Sequence, residues 1–165
     1  MSHVPRLAVI AGSFDPLTNG HVDLIERSVK LFEQVVVAVL VNPSKQPLFT
    51  LDERVAMIRE VAAAQALAVE VDTFGGLLAD YVRKRGATAI ARGLRSAAEF
   101  GEEWPTALMN RHLEPACETV FVVPAAATMH ISSRLVREIA SLGGSVDGLV
   151  PKAVAAHLQA RLGKH

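Results

Sequence analysis

Residues 12–21 read GSFDPLTNGH and follow directly on the apolar stretch 7–11. A chain leaving a buried strand through two glycines, a proline, small polar side chains and a histidine is shaping a turn before a helix. His21 then falls in the first helical turn. There the free backbone N–H groups and the positive end of the helix dipole favour an anion, and an imidazole N–H adds a further donor. Other donors recur at comparable places. Asn42 to Lys45, Gly75 with Gly76, Arg92 to Arg95 and Pro124 to Ser133 each come just after a short apolar run. Ser132 or Ser133 can cap another helix, a role compatible with holding phosphate. This collection of donors suits phosphate chemistry.

The elements that must position these residues alternate. Apolar, β-branched runs at 7–11, 35–41, 67–71, 88–91 and 119–123 read as strands, each followed by a longer segment with helical spacing. In the first helix Val22, Ile25, Val29 and Phe32 share a face. The second starts with Thr50-Leu51-Asp52-Glu53, a capping box. A third is expected over 76–85, and a fourth over 97–113 that Pro105 should break or kink. A fifth carries Leu135, Val136 and Ile139, and a sixth starts at Pro151 and ends at Gly163. The fold class is therefore α/β: a Rossmann-like, open, five-stranded parallel sheet with helices on both faces. Ligands of such sheets bind at the carboxyl ends of the strands, so the five loops should converge on one edge.

Composition narrows the classes. The 165 residues are expected to form one domain, with Lys plus Arg balanced by Asp plus Glu at 17 each. That balance gives no reason to expect a nucleic acid or membrane partner, and any strong anion site must be local. One cysteine, Cys117, excludes an internal disulfide framework and fits a reducing compartment. No N-terminal apolar segment reads as a leader and the longest apolar run, 35–41, is too short to span a bilayer, so a cytoplasmic location is expected. Neither GxxxxGK[ST] nor GxGxxG occurs, which argues against a P-loop kinase or a dinucleotide-binding enzyme.

Thr18-Asn19-Gly20-His21 resembles the T/HxGH signature of the nucleotidyltransferases related to class I aminoacyl-tRNA synthetases. The spelling of residues 12–21 is similar to that of the bacterial phosphopantetheine adenylyltransferases. NPSKQPLFTLDERV at 42–55, RGLRSAAEF at 92–100, MNRHL at 109–113 and ISSRLVRE at 131–138 resemble further segments of that family, in order and across nearly the whole chain. The resemblance implies one nucleotidyltransferase domain over 1–165. It also implies transfer of the AMP moiety of ATP to 4′-phosphopantetheine, giving dephospho-coenzyme A and pyrophosphate, with Mg2+ arriving on ATP. His21, Lys45 and Arg95 would be catalytic. Ser13, Lys45, Leu78 and Arg92 would bind the acceptor, and Ser13, Phe14, His21, Gly93, Leu94, Arg95 and Glu103 would bind ATP. Thr128, Met129, His130, Ile131, Ser132, Ser133 and Arg134 would complete the ATP site. A homohexamer and inhibition by coenzyme A are implied in the same way.

Three features depart from the family pattern. Ser13 replaces a threonine, keeping the hydroxyl. Gly101, Glu102 and Pro105 interrupt a helix that should wall the site. Residues 124–133 are poor in polar side chains, which leaves backbone amides to carry recognition. Two other readings stay open: a transferase of the same fold acting on nicotinamide mononucleotide, and a silent nucleotide or coenzyme A sensor. A tRNA-charging fragment lacks the basic extension it would need.

Overall fold

The computed structural model describes residues 6–42 and 46–163. Along the chain run β1 (Leu7–Gly12), α1 (Asn19–Leu31), β2 (Gln34–Leu40), α2 (Leu51–Ala64), β3 (Glu70–Phe74), α3 (Leu78–Arg85), β4 (Ala89–Gly93), α4 (Ala97–Leu113) and β5 (Glu118–Val122). A short 3-10 turn (Ala126–Thr128), α5 (Ser133–Ser141) and α6 (Lys152–Leu162) follow.

All four strand pairings are parallel and the order is β3-β2-β1-β4-β5. The central strands are apolar on both faces, as a sheet covered by helices on both sides requires. Ile10, Val35, Val37 and Val39 pack into one core with residues of α1, α2, α5 and α6. Leu7, Val9, Ala11, Val36 and Ala38 point the other way, towards Tyr81 and Val82 of α3 and Cys117. Burying each such aliphatic side chain contributes about 1.5–3 kcal/mol relative to leaving it in water.

The chain departs from β1 to β2 and β3 on one side, then returns to place β4 and β5 on the other. The order reverses between β1 and β4. Their carboxyl ends diverge there, and a crevice opens at that point.

Three expectations from sequence are corrected. The third strand is Glu70–Phe74, three residues later than the apolar run 67–71, because the Leu67 N–H is drawn to the Ala62 carbonyl (2.9 Å) to close α2. The third helix begins at Leu78, since Gly76 lies outside it with φ +77°. Pro105 does not break α4, the first of the two outcomes expected there. The missing N–H would have met the carbonyl of Gly101, and both residues are exposed, so water can satisfy that carbonyl.

Candidate active site

The crevice is a cleft of about 350 Å³, lined from the ends of β1, β4 and β5, the start of α1, the inner side of α4 and the start of α5. Gly12 is the last residue of β1, paired with Val39. Sequence reasoning makes it a turn residue, but its missing side chain serves a different purpose. A Cβ there would sit 3.2 Å from the Phe14 ring. Phe14 is 3% exposed and takes φ +49°, a left-handed conformation that costs a non-glycine residue roughly 1–2 kcal/mol. Its burial offsets that strain and sets its ring 5.0 Å from the His21 ring, edge to face.

Thr18 caps α1 and His21 occupies the N3 position of the helix, so the two form a capping box with histidine in the place usually taken by Glu or Gln. Thr18 Oγ1 accepts from the His21 N–H at 3.3 Å, and His21 Nδ1 accepts from the Thr18 N–H at 3.0 Å. A backbone N–H can only donate, so Nδ1 carries no proton and the neutral ring holds its proton on Nε2. Burial, then the charges of Arg95 and Arg92, pull the imidazole pKa from 6.5 down to about 4. The ring is neutral at physiological pH and offers one N–H donor.

Both arginines come from the end of β4 and the turn behind it. Arg92 is gripped by Glu103 through Nε at 2.9 Å and Nη2 at 2.5 Å, while its Nη1 donates to the Ala11 carbonyl at 3.0 Å. Arg95 is gripped by Glu99 and donates from Nη1 to the Ile131 carbonyl at 2.7 Å. Two more arginines line the cleft: Arg27 pairs with Asp23 and Arg137 with Asp15. Four guanidiniums therefore face the crevice, each beside a carboxylate.

Asp15, 6% exposed, ties three segments together. It accepts from the amides of Leu48 (2.8 Å) and Phe49 (2.9 Å) just before α2, and from Arg137 of α5. Arg54, also buried, donates to the Ser13 carbonyl at 2.7 Å. The curvature of the first loop is thus fixed from behind by α2 and α5.

Of the residues singled out from sequence, Ser13, Phe14, His21, Arg92, Gly93, Arg95, Glu103, Thr128, Ile131, Ser132 and Ser133 line the cleft. Leu78, the first residue of α3, packs partly against the core, and the Leu94 N–H is bonded to the Val122 carbonyl at 3.1 Å. Met129, His130 and Arg134 are exposed outside the cleft lining, Arg134 facing Glu138 at 3.9 Å. Lys45 lies outside the described residues. Ser132 Oγ accepts from the Leu135 N–H as the cap of α5, and Ser133 Oγ donates to the Pro16 carbonyl at 2.8 Å. The Ser133 hydroxyl is thereby spent as a donor, whereas Ser132 only accepts and keeps its O–H beside the first-turn amides of α5. Asp15, Arg137 and Glu99 were missed. Arg137 could have been found as the residue one turn beyond Ser133 on the same helix face.

Residues 9–139 match the model of the "Cytidylyltransferase-like" family. A phosphopantetheine adenylyltransferase from Heliobacterium modesticaldum is 48% identical over 157 residues, covering 95% of this chain and 93% of its own. Proteins of the same name from Anaeromyxobacter sp. (strain K) and Alkalilimnicola ehrlichii are 50% and 53% identical, covering 96% and 94% of this chain and 96% and 90% of theirs. The chain belongs to the phosphopantetheine adenylyltransferase family. A crystal structure of a bifunctional NMN adenylyltransferase/ADP ribose pyrophosphatase from Francisella tularensis superposes with a TM-score of 0.71 over 95% of this chain and 49% of its own. At 14% identity that likeness concerns the fold. Among the described residues no helix is long and apolar enough to cross a membrane.

Proposed function

We propose that the cleft joins ATP and 4′-phosphopantetheine by direct in-line displacement, with no covalent enzyme intermediate. As a member of its family the chain is an adenylyltransferase of coenzyme A biosynthesis. An oxygen of the acceptor phosphate attacks the α-phosphorus of ATP, the bond from that phosphorus to the bridging oxygen breaks, and pyrophosphate leaves. The products are dephospho-coenzyme A and pyrophosphate, and the step is reversible.

The nucleophile is already an anion, so no base is needed to generate it. The difficulty is bringing it against a triphosphate, which calls for positioning and preorganised donors. The observation that carries this reading is the His21 ring, held by the Thr18 amide with Nε2–H free, beside the Arg92 and Arg95 guanidiniums. Nε2–H donates to an α-phosphate oxygen as charge builds there. Arg92, with Lys45, holds the acceptor phosphate and Arg95 the ATP phosphates, helped by Arg137 and the first-turn amides of α5. Ser13 bridges the two substrates, and Thr128 and Ile131, which line the cleft, carry the nucleotide.

ATP enters as its magnesium complex. The four cleft carboxylates are engaged by arginine or amide donors, so the ion would be held by phosphate oxygens and water and would neutralise triphosphate charge. Coenzyme A combines a pantetheine arm with an adenylate in one molecule, which would span both halves of the cleft and inhibit. Self-association, which the family resemblance makes a homohexamer, is supported by α4, which has no buried residue and exposes Phe100, Trp104, Leu108 and Met109. A cytoplasmic location fits the buried free thiol of Cys117.

Pyrophosphate release from ATP, 4′-phosphopantetheine and magnesium tests the reading. Release that requires both substrates supports it; no release, or equal release with nicotinamide mononucleotide, refutes it.

A further inference from the structure

Ser96-Ala97-Ala98-Glu99 spells the pattern by which a helix caps itself, a hydroxyl at N-cap and a glutamate at N3. In α1 and α2 the corresponding boxes are complete, with the N3 side chain on the N-cap amide. In α4 only half of the box forms. Ser96 Oγ accepts from the Glu99 N–H at 3.2 Å. The Glu99 carboxylate goes instead to the residue before the cap. Oε2 accepts from the Arg95 backbone N–H at 2.7 Å, and Oε1 accepts from Arg95 Nε at 3.0 Å and Nη2 at 2.5 Å.

That diversion immobilises a guanidinium. An arginine has five N–H donors in a rigid plane. Glu99 takes two of those of Arg95, and the Ile131 carbonyl takes a third through Nη1 at 2.7 Å. The plane is held on two edges, by the helix that follows β4 and by the loop that follows β5. One N–H on each terminal nitrogen is left for a ligand in the cleft that Arg95 lines. The charge-assisted bonds hold the fork before substrate arrives, so less side-chain freedom is lost on binding.

We propose that Glu99 is a positioning residue for adenylyl transfer, giving up half of a helix cap to lock the Arg95 guanidinium in the orientation that meets the triphosphate. The proposal rests on the functional reading above. It is distinguished from a plain capping role by Ser96, whose replacement weakens the same helix end and leaves the partners of Arg95 in place.

The test is steady-state kinetics with both substrates, together with thermal melts, for the wild type, E99A, E99Q and S96A. S96A should lower the Tm while keeping kcat and both KM values within about threefold. E99A should raise the KM for ATP by about tenfold or more and lower kcat, leaving the KM for 4′-phosphopantetheine within about threefold. E99Q, which keeps one acceptor oxygen, should recover part of that loss, and it carries the comparison if E99A fails to melt cooperatively. The proposal is overturned if the Glu99 variants match S96A in kinetics, if they penalise both substrates equally, or if they bind ATP more tightly than the wild type. The last result would make Glu99 a competitor of the triphosphate. A wild type that releases no pyrophosphate overturns the functional reading and this proposal with it; an active wild type with any of the three outcomes above overturns the proposal alone.

Discussion

The backbone amide of Thr18 lies 3.0 Å from Nδ1 of His21 and donates to it, so one hydrogen bond both completes the cap of α1 and selects the imidazole tautomer. A helix start and the donor we propose for the transition state share a single contact. Protonating Nδ1 would set a second N–H against the amide, a conflict that adds to the desolvation and arginine charge already acting on the ring.

The first prediction concerns pH. With a folded pKa near 4 against 6.5 in the unfolded chain, His21 takes up its proton more readily when unfolded. Its contribution to stability is therefore complete above 6.5 and is lost as pH falls from there towards 4. The imidazole proposed as donor stays in its neutral form over the same window. A nitrogen-resolved NMR titration should show Nε2–H with a midpoint near 4; a midpoint at the ordinary histidine value would contradict the buried, arginine-flanked setting.

Removing the ring should affect turnover far more than binding. His21→Ala is expected to lower kcat by roughly 10²–10³ and leave the KM for ATP nearly unchanged, as when one transition-state donor is lost. Unchanged turnover would exclude the ring from the chemistry.

The two arginines should separate by substrate. Arg92→Ala is expected to raise the KM for 4′-phosphopantetheine by roughly 10–100-fold, and Arg95→Ala to do so for ATP, the loss expected for a charged hydrogen bond. Initial-rate matrices measure both at once, and a crossed pattern would exchange their assignments.

Assembly can be probed on the outer face of α4. Trp104 is 48% exposed, with its ring 5.3 Å from that of Phe100 and tilted to it by 41°, and the Phe100 ring meets Phe121 of β5. Trp104→Glu should shift the protein towards smaller species in sedimentation velocity while its circular dichroism is retained. An unaltered sedimentation profile would remove this face from the subunit contact.

The strand-and-helix alternation was legible because each buried strand is a short apolar run and several helix ends carry local signatures. Thr50 with Glu53, Ser132, and Gly163 mark such ends where sequence places them. The third strand was misplaced because an apolar run does not reveal that Leu67 closes α2. The break expected at Pro105 did not occur because its turn is exposed, where water tolerates an unpaired carbonyl, which propensity does not show. The first loop announced a phosphate site through His21, yet its supports were hidden. Asp15 and Arg54 act over 33 and 41 residues of sequence, on Leu48 and Ser13 respectively. Glu99 went unremarked, since nothing in its spacing shows which amide its carboxylate will choose.

The pairing of every cleft guanidinium with a neighbouring acid leaves little long-range attraction for passing polyanions. In a cell crowded with phosphorylated metabolites, a mouth that exerts its pull only at contact stays vacant until a molecule of the right outline has entered. Discrimination then rests on shape at close quarters, and the encounter itself is left to unaided diffusion.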